Sequence, residues 1–124
     1  MNQTYPSVEK LKSKKLLEAL FSNGKKLNEY PIKLVYKQVD FEDNVLVKVG
    51  VSVPKRNFKK AVDRNKIKRL LRESYRLNKH IIHDKLDKKH VCMFLYLGKE
   101  IPDFNQLNTK TIKLLHKLLE KELN

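Results

Sequence analysis

Six basic side chains recur between Ala61 and Lys79 at spacings that an α-helix gathers onto one flank: Arg64, Lys68, Arg69, Arg72, Arg76 and Lys79. At about 100° per residue they share roughly 140° of arc, while Ile67, Leu70, Leu71, Ser74 and Leu77 share about 120° on the other side. Such a helix packs on one flank and presents guanidinium and ammonium groups on the other. A surface helix without a ligand would intersperse Glu with Lys at i,i+4; here like charges recur at that spacing and repel. A bound polyanion offsets the repulsion, and the chemistry that follows is phosphate recognition. Immediately upstream, Lys55, Arg56, Lys59 and Lys60 make a cationic loop around Asn57 and Phe58.

Other chemistries have weaker support. His80, His83, Asp84 and His90 contain the i,i+3 and i,i+4 spacings that place ligands on one helix face, but no thiolate lies nearby to complete a zinc site. Cys92 sits within the apolar run Val91–Leu97 and reads as a buried structural thiol. Gly-rich phosphate loops, paired-carboxylate motifs and Ser-His-Asp patterns are missing, so no catalytic residue is assigned and no cofactor or metal is expected on the protein. With 28 Lys and Arg against 14 Asp and Glu, the net charge of +14 favours nucleic acid or an anionic membrane surface as partner. One cysteine excludes an internal disulfide framework, and Met1–Pro6 lacks an apolar core for export, so the expected location is the cytoplasm. The longest apolar run is too short to span a bilayer, and no membrane partner is expected.

The elements that must position these residues follow from periodicity. Residues 1–12 are polar and read as irregular, and Ser13 caps a helix marked by Leu16, Leu17, Leu20 and Phe21. Asn23 and Gly24 end it, Gly24 being assigned the left-handed conformation common at helix C-termini. Ile32, Leu34 and Tyr36 alternate with Lys33, Val35 and Lys37 as a strand. After an acidic turn at Asp40–Asn44, the valines of Val45–Val53 alternate with Leu46, Lys48, Gly50 and Ser52 as a second strand, ended by Pro54. The basic helix follows, with further helical turns through Ile81 and Ile82. Val91–Leu97 then makes a buried strand, and Pro102–Asn108 a loop. A last helix runs from Thr109 to Leu123 with Asn108 or Thr109 as cap. The order is helix, strand, strand, helix, strand, helix, in one domain spanning 1–124, an α/β (α+β) two-layer sandwich.

The run Gly50-Val51-Ser52-Val53-Pro54-Lys55-Arg56, then Ala61-Val62, then Arg64-Asn65-Lys66-Ile67-Lys68-Arg69-Leu70-Leu71-Arg72-Glu73, closely resembles the protein subunit of bacterial ribonuclease P. The resemblance covers most of the chain. It implies a mixed sheet of about four strands with helices packed on it and a left-handed βαβ crossover, against the usual right-handed rule. It also implies a subunit of an endoribonuclease that removes the 5′ leader from precursor tRNA, with hydrolysis performed by a catalytic RNA subunit and its magnesium ions. The implied partners are that RNA subunit and precursor tRNA, with no DNA.

On this resemblance the RNA-binding residues are Lys55, Arg56, Lys59, Lys60, Arg64, Asn65, Lys66, Lys68, Arg69, Arg72 and Arg76. Lys66 stands where the family has arginine, which keeps the charge and loses the planar fork for bidentate phosphate contacts. The family's leader cleft maps to Leu17, Phe21 and Val35, and period-two alternation adds Lys33, Lys37, Lys48 and Ser52 on a common face. Phe21 has two readings: core beneath the final helix, or a stacking surface worth about 1–3 kcal/mol per base. Two other functional classes share the basic face. One is a structural ribosomal-type protein or RNA chaperone; the other, a DNA-binding regulator, lacks the short-turn helix pair that should precede the basic helix.

Overall fold

The computed structural model describes residues 9–123. Helix α1 (Lys14–Asn23) is followed by strands β1 (Lys25–Glu29), β2 (Ile32–Gln38) and β3 (Val47–Ser52). Helix α2 (Ala61–Asn78), the single turn α3 (His80–His83), strand β4 (His90–Tyr96) and helix α4 (Phe104–Leu123) complete the chain. The strands form one sheet in the order β1-β2-β4-β3. β1 pairs antiparallel with β2, β2 antiparallel with β4, and β3 parallel with β4. This is the expected mixed four-stranded sheet, and β3-α2-β4 is the crossover unit to which the resemblance assigns a left-handed connection.

Alternation along the strands sorts side chains onto two faces. Ile32, Leu34, Tyr36, Val49, Cys92, Phe94 and Tyr96 point to one face and bury against Ile67, Leu71 and Tyr75 of α2 and Leu107, Leu114, Leu115 and Leu118 of α4. On the opposite face, α1 is the one helix among the described residues, over a smaller cluster of Leu11, Leu20, Val35, Val91 and Met93 against which Val39 and Phe41 also pack.

Several elements depart from their sequence expectations. β1 was not anticipated: Lys25–Glu29 contains a single apolar residue, Leu27, and takes strand form because pairing with β2 sets Leu27 opposite Leu34 and Glu29 opposite Ile32. Gly24 ends α1 in an extended conformation, φ −69°, rather than a left-handed one. It is needed for close approach, since a Cβ there would lie 2.3 Å from the Leu20 carbonyl oxygen and 2.7 Å from Val35 Cγ1. α4 begins five residues before Thr109. Asp103 caps it, accepting from the Gln106 N–H at its carboxylate (3.3 Å) and from the Leu107 N–H at its carbonyl (3.0 Å). The Ser13 cap of α1 is as expected, its hydroxyl accepting from the Leu16 N–H at 3.3 Å.

Residues 1–8 of the N-terminal segment read as irregular lie outside the described residues. Residues 9–12 hold no α-helix or regular strand, Glu9 lying in a 3-10 turn, yet they are tied down. Lys10 bridges Val49 on the open edge of β3, and the Leu11 N–H donates to the Val49 carbonyl. Glu9 and Lys79 form a buried ion pair at 2.8 Å. Lys79 therefore leaves the cationic arc in which its spacing placed it.

Candidate nucleic-acid interface

α2 divides into a buried and an exposed face, the buried one rotated from the expected arc so that Tyr75 and Asn78 enter it while Leu70 and Leu77 are only half-buried. Ile67, Leu71, Ser74, Tyr75 and Asn78 are buried, while Asn65, Lys66, Arg69 and Arg72 are exposed. The exposed four make no side-chain hydrogen bond or ion pair among the described residues. They stand beside Lys55, Arg56, Lys59 and Lys60, all exposed. The loop carrying those four is anchored from beneath. Phe58 is buried with its ring 6.1 Å from that of Tyr96, and Asn57 Nδ2 donates to the Leu97 and Gly98 carbonyls at 3.4 Å each. A loop so held presents its cations outward without having to order them on binding.

The remaining basic residues of α2 are less free than their spacing suggested. Arg64 Nη1 donates to the carbonyls of Phe58 (2.7 Å) and Lys59 (2.9 Å), so its guanidinium closes the loop onto the helix. Arg76 pairs with Glu73, whose carboxyl that hydrogen bond holds below its ordinary range. Lys68 is half-buried. The α2 surface thus has a loop-clamping end at Arg64, an open middle at Lys66, Arg69 and Arg72, and an internally neutralised end at Arg76.

The second cluster lies under α1. Strand register aligns Lys33, Leu95 and Ser52 in one row across β2, β4 and β3. Val35, Met93 and Gly50 form the next row, and Lys37, Val91 and Lys48 the third. The floor is apolar along β4, with lysines on the flanking strands. Phe21, on α1, is 56% exposed, which decides against its burial beneath the final helix. Leu17 is half-buried beside it, whereas Val35 is only 2% exposed, covered by α1 where Gly24 approaches, and offers little surface to a ligand. Lys48 pairs with Asp43 and lies 5.3 Å from the centre of the Phe41 ring. Lys89 flanks the same ring at 5.0 Å and donates to the Phe41 and Asp43 carbonyls at 2.5 and 3.0 Å. Lys26, opposite Val35 in register, joins this face from β1. Its place was hidden because β1 was.

The histidines do not converge. Tyr75 and His83 share a hydrogen bond at 2.7 Å, and burial pushes the His83 pKa down; His90 bonds Glu122 at 2.6 Å from another part of the core. Among the described residues no group of three or more His, Cys, Asp or Glu is placed to hold a metal ion. Burial drives the Cys92 thiol pKa strongly upward, which keeps it protonated and unreactive.

A family model described as Ribonuclease P matches residues 5–119, nearly the whole chain. The chain belongs to the ribonuclease P protein family. Among similar proteins is the ribonuclease P protein component of Porphyromonas gingivalis, 34% identical over 110 residues that cover 86% of this chain and 80% of that one. The component from Chlorobaculum tepidum is 32% identical over 130 residues, covering 95% and 84%. The solved RNase P protein from Thermotoga maritima aligns with a TM-score of 0.71 at 25% identity, over 88% of this chain and 96% of that one. The Staphylococcus aureus RNase P protein, at 21% identity and a TM-score of 0.67 over 94% and 98%, shares the fold. Membership in the ribonuclease P family makes this chain a protein component of an endoribonuclease of tRNA processing. Among the described residues, no helix is long and apolar enough to cross a membrane.

Proposed function

We propose that this ribonuclease P protein binds the enzyme's catalytic RNA subunit through α2 and the loop at 55–60, and holds the 5′ leader of precursor tRNA in the cleft under α1. The observation that carries this reading is the row of exposed cations Lys66, Arg69 and Arg72, without a partner among the described residues, beside an anchored cationic loop. Phosphate neutralisation of this kind supplies most of the affinity of nucleic-acid binding and positions the partner. The leader, a single strand, suits a shallow cleft that combines lysines with an exposed aromatic ring. Hydrolysis belongs to the RNA subunit with its magnesium, in the cytoplasm, and DNA and membranes are not partners. The protein then acts by offsetting repulsion between two RNAs, so its benefit is largest at low magnesium and shrinks as magnesium rises. The test is leader removal by the cognate RNA subunit across a magnesium series, with and without the protein. A benefit independent of magnesium, or cleavage by protein repurified free of RNA, refutes the reading.

A further inference from the structure

On the α4 side of the sheet, away from the cleft under α1, a cavity of about 510 Å³ opens between the β1–β2 turn and the first turns of α4. Its volume falls within the range of small-molecule sites. Tyr30, 70% exposed, and Ile101, 42% exposed, both line it. Apolar surface is thus left open to solvent at the cavity. The floor is preformed: Tyr96, nearly buried, donates its hydroxyl to the Glu100 carbonyl at 2.6 Å. Gly98 permits this, because a Cβ there would meet the Tyr96 hydroxyl at 2.5 Å.

Charges of both signs line the cavity: Lys110 and Lys113, three residues apart on α4, and Glu100 and Asp103 from the segment that leads into α4. The lysine cluster has more cation than its own carboxylate can use. Glu29 is bonded by Lys117 and approached by Lys110 at 3.8 Å, and its carboxyl is held below the ordinary range chiefly by the Lys117 bond, with Lys110 and Lys113 adding to it. Lys117 is committed there, also donating to the Asn28 carbonyl at 3.3 Å. Lys113 makes no bond of its own among the described residues. The Asp103 carboxylate is engaged by the Gln106 N–H, while the Glu100 carboxylate, exposed, makes no bond among the described residues.

An exposed aromatic ring, two lysine ammonium groups and two carboxylates lining one cavity match one ligand chemistry: a planar base with donor amino groups, linked to an anion. We propose that this cavity binds a single unstacked nucleotide, its base against Tyr30 and its phosphate at Lys110 and Lys113. Base-on-aromatic stacking is tolerant of base identity, since every base has a π-face. An acidic peptide would satisfy the lysines but meets Glu100 and Asp103. The site is separate from the α2 surface and the α1 cleft, so it stands or falls without them.

The test uses the full chain alone, labelled with ¹⁵N and titrated with AMP, adenosine, inorganic phosphate, a single-stranded hexaadenylate and a hexaglutamate peptide. AMP should shift the amides of Ile101, Gln106 and Lys110 saturably, with adenosine and phosphate each at least about tenfold weaker. Tyr30→Ala should weaken AMP at least about fivefold, the lower end of one stacked base. Lys113→Glu, at an exposed position, supplies a second variant and should weaken it comparably. Tighter binding of the hexamer than of AMP at these same amides identifies the ligand as a nucleotide within RNA; equal or weaker binding identifies a free nucleotide. Shifts that follow phosphate alone, shifts that survive both substitutions, or saturation by the peptide without AMP would overturn the proposal. Arg72→Ala and Phe21→Ala should leave these shifts unaltered, which separates failure here from failure of the RNA-binding surfaces.

Discussion

Arg64 and Arg72 lie two helical turns apart and look interchangeable in sequence, yet the structure gives them different work. Arg72 is exposed and has no side-chain partner among the described residues, whereas Arg64 donates to two loop carbonyls. If Arg72 neutralises one phosphate, Arg72→Ala should lower the slope of log affinity against log salt by about 0.7–0.9. Between 50 and 200 mM salt, that difference is worth about threefold in the affinity ratio. Arg72→Lys should restore most of it, because a point charge suffices. Arg64→Ala should instead release the loop at 55–60, where each lost charge-assisted hydrogen bond is worth about 1.5–3 kcal/mol at most. Amide exchange at Asn57–Lys60 should then speed up about tenfold or more, and binding should weaken at every salt concentration. Arg64→Lys, which keeps the charge but ends one atom shorter and lacks the planar guanidinium, should fail to restore the loop. The assay is binding to the RNA subunit at four salt concentrations, paired with hydrogen exchange of the free protein. If Arg64→Lys matches the parent in both while Arg72→Ala leaves the slope unchanged, the two roles are misassigned.

Phe21→Ala should weaken affinity for precursor tRNA, measured with the assembled enzyme, more than affinity for mature tRNA. Because the ring is 56% exposed, the melting temperature should hold within a degree or two. Lys79→Ala leaves Glu9 buried without its ammonium, so it should cost about 3–5 kcal/mol in denaturant unfolding, far more than Arg72→Ala. A cost below 1 kcal/mol would mean the pair is solvated. His83 titrates below its ordinary value in the fold because burial disfavours the charged ring. The unfolded chain therefore takes up a proton first as pH falls through about 6.5, and stability should decline there by at most about 1.4 kcal/mol per pH unit. His83→Gln should flatten that dependence between pH 5 and 7, and an equally steep decline in the variant would assign it to other groups.

What the sequence made legible is what periodicity encodes. β2 and β3 repeat their apolar residues at 2.0 and the faces derived from them held, β4 was legible as a continuous apolar run, and α2 was legible as a helix whose buried face is turned toward Tyr75 and Lys79, inside the arc assigned to the cations. Lys33, Lys37, Lys48 and Ser52 do share one face. β1 was illegible because Leu27 alone cannot define a period, and its strand form comes from β2 across a two-residue turn. Without β1, neither Lys26 in the cleft nor the cavity beside Tyr30 could be located. The start of α4 was missed for a different reason. Asp103 after Pro102 is a capping signal, but the apolar repeat that follows it is weak until Leu107, so the loop reading prevailed there.

The basic residues show the sharper limit. In the sequence Arg64, Arg72, Arg76 and Lys79 are equivalent members of one arc. In the fold their partners lie at separations of 5 and 6 residues for Arg64, 3 for Arg76 and 70 for Lys79. A helical wheel places a side chain on a flank but says nothing of which carbonyl or carboxylate the rest of the chain brings to it. Only the local Glu73–Arg76 pair could have been read in advance, from its i,i+3 spacing. The positive face of such a helix is therefore an upper bound on its phosphate-binding capacity. The working surface is what remains once tertiary structure has used some of the charges to hold itself together, and here that remainder centres on Lys66, Arg69 and Arg72 with the loop that Arg64 keeps in place.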